Sequence, residues 1–202
     1  ELGIIFHFQS PRPKITFPWT QIATSLQSSF FLSLRKIKKM IFITGCTGLL
    51  GSHLVAEIVK SQKSKVKSQI KLLCRENSDL SLLKNVLSRY DFDEIPNNIE
   101  FVYGDILDYD VLEETMRDVD EVYHCAAVVS FDPSDKNSLM RVNVEGTKNM
   151  VNAALQCGVK KFCHVSSIAA LGRALEGETI DEESPWTHSK NNSIYSNSKH
   201  AG

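Results

Sequence analysis

Three glycines spaced three apart, Gly45, Gly48 and Gly51, stand directly behind the apolar run Met40–Thr44 and open an amphipathic stretch. A strand, a tight turn and a helix must therefore follow one another with no room for a longer loop. Gly45 permits the turn, Gly48 leaves the backbone bare, and Gly51 lets the helix pack close to the strand. Few arrangements other than a βαβ unit can start this way.

The same alternation continues along the chain. Residues 70–74, 99–103, 121–126 and 161–166 read as further strands. Helices are expected over 49–60, 80–90, 111–116, about 135–157, and from Ser193 onward. Leu50, Leu54 and Ile58 share one side of the first helix, and Leu83 and Leu87 lie four apart on the second. Asp108 or Asp110 caps the third, while Gly158 ends the long fourth. This pattern predicts an α/β fold, a Rossmann-type doubly wound parallel sheet with helices on both faces. Its active groups should gather at the carboxyl ends of the strands.

Composition narrows the function classes. A net charge of −1 with 23% charged residues gives no global attraction to nucleic acid or to a membrane surface. No apolar run reaches the length of a spanning helix. Five cysteines without a CxxC pair read as free thiols in a reducing compartment, so a cytoplasmic location is expected. No metal site is expected: His124 with Cys125, and Cys163 with His164, are neighbours on strands and point to opposite faces. Residues 1–39 differ from the rest, with Glu1 against six basic residues, and with Pro11, Pro13 and Pro18 breaking any period. They read as a targeting presequence, an upstream translation preceding a native start at Met40, or a disordered tail.

The glycine turn and its helix suit the pyrophosphate of a dinucleotide, whose charge meets unpaired N–H groups and a helix dipole. Candidate cofactor contacts there are Gly45, Thr47, Gly48, Leu49, Leu50 and Gly51. A Walker-type loop is disfavoured, since no Gly-Lys-Ser/Thr follows. Beyond the second strand, Arg75 can meet a 2′-phosphate with its planar donor fork, while Glu76 either points away or takes the ribose of NAD; Arg75 reads also as an ordinary solvated strand end. The reading favours NADP over NAD. Asp105 either accepts from an adenine amino group, with Ile106 against the ring, or caps the next turn. Ala126 and Ala127 leave room for a flat ring, as core packing alone would also require.

At the far end, Tyr195 and Lys199 lie one helical turn apart. A free tyrosine has a pKa near 10, too high for a base at neutral pH, and a neighbouring ammonium favours the phenolate. Ser167, just past the fifth strand, can hydrogen-bond a substrate oxygen, although Ser166 competes for that role. Together these residues can move a proton while a nicotinamide moves a hydride. Hydrolase triads fare worse, because Ser167 lacks a Gly-x-Ser-x-Gly elbow. The polar loop 171–192 is expected to cover a substrate mouth, with the acidic run Asp181, Glu182 and Glu183 at a solvated turn.

Over residues 40–202 the chain resembles the extended short-chain dehydrogenase/reductase family, which includes sugar-nucleotide epimerases and dehydratases. The matching marks are Thr44-Gly45-x-x-Gly48-x-x-Gly51, Gly104-Asp105, His124-Cys125-Ala126-Ala127, Asn143-Val144-Glu145-Gly146-Thr147, Val165-Ser166-Ser167 and Tyr195-x-x-x-Lys199. The resemblance implies that Tyr195 handles the proton, Lys199 is its partner and a ribose ligand, Ser167 polarises the substrate, and Asn143 supports the active-site region. On the residues themselves, Asn143 satisfies a strand-end carbonyl or holds a water, and Thr147 can bond back to its carbonyl. Within the family, Leu73-Cys74-Arg75 and residues 127–131 look closer to the dihydroflavonol reductase, cinnamoyl-CoA reductase and 3β-hydroxysteroid dehydrogenase-like branch. That implies a small-molecule alcohol or ketone substrate, and a homodimer in the full-length protein. Alternatives are epimerisation or dehydration of a nucleotide sugar, and a non-catalytic dinucleotide-binding regulator. Family members continue well past the position of Gly202, so 40–202 is expected to be a C-terminally incomplete domain. The 202-residue product is then expected to be inactive or poorly folded, and its longer parent to be the oxidoreductase.

Overall fold

A computed structural model describes residues 39–62, 68–171 and 179–202. Five strands form the sheet: β1 (Met40–Thr44), β2 (Gln69–Cys74), β3 (Ile99–Tyr103), β4 (Glu121–His124) and β5 (Lys161–His164). Their spatial order is β3-β2-β1-β4-β5, and every pairing is parallel. The direction of winding reverses between β1 and β4, which opens a crevice at their carboxyl ends.

Successive residues of β1 face opposite sides, so an unbroken apolar run means burial on both faces. Ile41 and Ile43 join Val55, Leu72, Leu83 and Leu87 beneath α1 (Leu49–Ser61) and α2 (Ser81–Arg89). Phe42 points the other way, to Leu112, Met116, Val122 and Met150. That second core is covered by α3 (Tyr109–Met116) and by a long helical run, α4 (residues 136–156). The last helix, α5 (Ile194–Ala201), starts on Ser193, whose side chain accepts from the Ser196 N–H.

Most expected elements occur, with informative differences. Asp108 caps α3, and Gly158 at φ +68° ends α4. The expected helix 135–157 is not uniform: Lys136–Leu139 and Thr147–Gln156 are α-helical, but Met140–Gly146 between them is π-helical. The first helix buries Gly51, Ser52, Val55 and Ala56, whereas Leu50 is 40% exposed. Leu50 belongs to the first turn of that helix. β4 and β5 each end two residues earlier than expected; after β4, Cys125 and Ala126 leave the ladder to line the crevice. Residues 1–38 of the leader, with the glycines of the loop 172–178, lie outside the described residues. Lys39 is described: its carbonyl accepts from the Gln69 N–H, and its ammonium lies 2.7 Å from Glu121.

Candidate active site

The crevice is lined by the ends of β1, β2 and β4 and by the turn after β3, with a cavity of about 230 Å³. It brings together Gly45, Thr47, Gly48, Arg75, Asp105, Ile106, Ala126 and Ala127. Gly45 adopts φ +73°, and a Cβ there would sit 2.6 Å from the Ala126 nitrogen. A Cβ on Gly51 would run into the Gly45 carbonyl, so helix and turn touch backbone to backbone. Gly48 meets nothing nearer than 3.4 Å and is the N-cap of α1, with no side-chain cap. The first-turn N–H groups of that helix have no intrahelical acceptors and suit an anion. Leu49 and Leu50 are 65% and 40% exposed, and their side chains lie outside the lining, as does Gly51.

Asp105 caps the turn that follows it: its Oδ1 accepts from the Leu107 N–H at 2.9 Å. It also lines the crevice wall while capping that turn. Arg75 is exposed at the crevice wall, its N–H donating to Ser78 Oγ and its carbonyl accepting from the Ser78 N–H, whereas Glu76 is not part of the lining.

The proton-transfer candidates gather on α5 and the segment after β5. Ser167 is buried, and its Oγ accepts from the Ala169 N–H at 3.2 Å, leaving its own proton to donate. Ser166 is only partly buried. α5 packs on the following turn through Ser196, which donates to the Ala169 carbonyl at 2.7 Å. The Tyr195 ring meets Phe131 edge-on at 5.9 Å. Lys199 is 97% buried by solvent exposure; its Nζ donates to the Val165 carbonyl at 3.1 Å and lies 3.4 Å from His164 Nε2. Burial pushes the Lys199 pKa below the usual ammonium range. Burial, then the Lys199 charge, lowers His164 to about 4. Tyr195 and Lys199 share α5 but are not hydrogen-bonded to each other.

Asn143 joins the two halves. Its Oδ1 accepts from the Val128 N–H at 2.8 Å, and its Nδ2 donates to the Val128 carbonyl and to Ser198 Oγ, each at 2.9 Å. Val128 lines the crevice and Ser198 belongs to α5. Thr147 bonds back to the Asn143 carbonyl at 2.7 Å. The sequence does not single out Val128, Val142, Ser78 or Ser198, nor Thr44 and His124 as hydrogen-bonding residues. A histidine in a predicted buried strand is the available signal for His124, since a buried imidazole needs polar partners.

The five cysteines are free thiols. Burial pushes Cys125 up to about 12, which makes it inert rather than nucleophilic. Among the described residues, no group of three or more His, Cys, Asp or Glu is placed to hold a metal ion, and no helix is long and apolar enough to cross a membrane.

A doubly wound parallel sheet with this crevice defines a Rossmann-type α/β protein. Residues 41–202 match the NAD dependent epimerase/dehydratase family, and the chain belongs to it. It is 31% identical over 145 residues to sterol demethylase protein B of Methylococcus capsulatus, covering 72% of this chain and 38% of that protein. It is 31% identical over 141 residues to a dihydroflavonol 4-reductase-like protein of Synechocystis sp., covering 70% and 36%. Among solved structures, it is similar to DesIV, a dTDP-glucose 4,6-dehydratase from Streptomyces venezuelae with NAD and TYD bound. The TM-score is 0.64 at 26% identity, over 80% of this chain and 48% of that one. The chain thus spans less than half the length of these relatives.

Proposed function

We propose that this chain forms the cofactor-binding part of an NAD(P)-dependent oxidoreductase that interconverts an alcohol and a ketone on a small molecule. The observation that carries the reading is the Asn143 clamp, which ties the crevice floor at Val128 to the helix bearing Tyr195 and Lys199. A non-catalytic dinucleotide sensor has no use for a Tyr–Lys pair attached to its binding floor.

The crevice fits a dinucleotide. Its bare Gly48 and uncapped helix suit phosphate, Asp105 and Ile106 on the wall would hold an adenine ring, and the small Ala126 and Ala127 leave space for a second ring. Arg75 on the wall supports NADP as the preferred form, through charge-assisted bonds to a 2′-phosphate. When bound, the nicotinamide gives or takes the hydride.

The chain's own residues handle the proton. Ser167 donates to the substrate oxygen, which orients it and steadies negative charge there. Tyr195 exchanges the proton at that oxygen. The Lys199 ammonium, held at the end of β5, favours the phenolate and is available to a ribose hydroxyl. Val129 and Phe131, 65% and 71% exposed, present apolar surface on the loop that meets Tyr195. That surface favours an apolar carbon skeleton over a nucleotide sugar, the rival substrate that the likeness to DesIV raises. A cytoplasmic site of action and a homodimeric full-length protein complete the proposal.

The test is nicotinamide absorbance during turnover of apolar ketones, in a protein carrying this chain at its relatives' length. Tyr195→Phe should lower kcat by roughly 10²–10⁴-fold with dinucleotide affinity retained. Unchanged turnover in that variant would remove Tyr195 from the chemistry.

A further inference from the structure

We propose that His124 is a positioning residue for the crevice: a neutral imidazole, protonated on Nε2, that fixes the Ala126 amide at one end and the Asn143 carbonyl at the other. The inference rests on reading the crevice as a dinucleotide site.

The geometry is a single line of hydrogen bonds. The Ala126 N–H donates to Thr44 Oγ1 at 3.2 Å, and Thr44 Oγ1 lies 2.7 Å from His124 Nδ1. On the other side of the ring, Nε2 lies 3.2 Å from Thr147 Oγ1, which donates to the Asn143 carbonyl at 2.7 Å. A hydroxyl carries one proton. Thr147 commits its proton to Asn143, so Nε2 must be the donor in the bond between them. Nδ1 then accepts from the Thr44 hydroxyl, whose lone pair takes the Ala126 N–H. Thr44, His124 and Thr147 each donate once and accept once along this line, which runs in one direction from the Ala126 N–H to the Asn143 carbonyl.

Nothing about filling space requires this. His124 has no solvent exposure, and its ring packs against Phe162 at 6.3 Å and His164 at 5.3 Å, where an apolar ring would also fit. An unsatisfied imidazole in such a place would be costly, and both nitrogens here are satisfied by threonines from two different elements. Burial, with His164 and Lys199 as the nearby basic groups, holds the pKa well below the usual histidine range, so the imidazolium is not the resting form.

Both ends of the line belong to the crevice. Ala126 lines it and abuts the Gly45 turn. Asn143 grips Val128, the other end of the floor, through both backbone polar groups. One ring therefore sets the two edges of the floor 126–128. Because Thr147 holds the Asn143 carbonyl, the same ring steadies the π-helical stretch from which Asn143 reaches Ser198.

Nitrogen-15 spectra of the full chain test the tautomer without any substitution. From pH 6 to 8, His124 should show an unprotonated Nδ1 and a protonated Nε2; the reverse tautomer or an imidazolium overturns the proposal. Hydrogen exchange tests positioning: the amides of Ala126 and Val128 should be protected in the native chain and lose protection in His124→Phe. Fluorescence titration with NADPH should show about tenfold weaker binding in His124→Phe. His124→Asn and His124→Gln should each recover part of the affinity, since each keeps a polar group near one of the two ring nitrogens. A His124→Phe chain with native thermal unfolding, protected amides and native affinity would sink the idea. Should that variant fail to fold, the tautomer and the Asn and Gln variants still decide. A native chain with the expected tautomer and amide protection but no NADPH binding would defeat the dinucleotide reading and leave the positioning role standing.

Discussion

At the end of β1 the site is made of backbone, and beyond β5 it is made of side chains. Gly45, Gly48 and Gly51 contribute no atoms beyond the main chain; their value is a positive φ, a bare N-cap and a helix seated on the turn. Around α5 the reverse holds. Lys199 reaches the Val165 carbonyl, Ser196 the Ala169 carbonyl, and Asn143 spans from Val128 to Ser198. The first region fails by collision and the second by lost or unpaired polar groups. Different perturbations should therefore find them separately.

Acid should produce the largest effect, and it acts through side chains. His164 binds its proton less readily in the folded chain, at about 4, than a free histidine does near 6.5. Between those values the unfolded chain holds more protons. The stability from this group is complete above about pH 6.5, falls as pH drops toward 4, and is constant below, a loss of roughly 3 kcal/mol. His124, also depressed, acts in the same direction. Urea unfolding measured from pH 7 to 4 should show the loss, and His164→Gln should make it shallower. An identical slope in that variant would place the acid sensitivity elsewhere.

Gly51→Ala should damage only the backbone region. Its new methyl meets the Gly45 carbonyl, so helix and turn must separate. The expected cost is about 2 kcal/mol, with a fall in Tm of roughly 4–8 °C. Dinucleotide binding should weaken further than stability alone accounts for, while the amides beside Asn143 keep their exchange protection. Loss of protection on both sides would mean that the two regions act as one unit.

Arg75→Ala should give the smallest effect. It should weaken NADPH by about tenfold and leave NADH within twofold, because only a charge-assisted phosphate contact is removed. A native preference for NADH, unchanged by the substitution, would assign the crevice to NAD.

The backbone region was the more legible in sequence for a physical reason. A positive φ and a backbone-to-backbone contact each demand glycine, so the residue types announce the geometry. Parallel strands buried on both faces announce themselves as apolar runs, and Leu83 and Leu87 marked the buried side of α2. The strand ends were harder. Cys125 and Val165 still donate to Thr44 and His124 as a ladder would, so β4 and β5 read longer than they are. The π-helical stretch left no trace in the hydrophobic period, because it shifts register over only seven residues. His124 was weighed as a metal ligand because its real partners, Thr44 and Thr147, lie 80 and 23 residues away. Tyr195 and Lys199 were found by spacing, but spacing does not say that the ammonium turns to the Val165 carbonyl.

Titration of the folded native chain with NADPH, followed by nicotinamide fluorescence, probes the crevice most directly. Saturable binding that Gly51→Ala weakens sharply is the predicted result. A chain with native circular dichroism whose signal never saturates would contradict the assignment of this crevice to a dinucleotide.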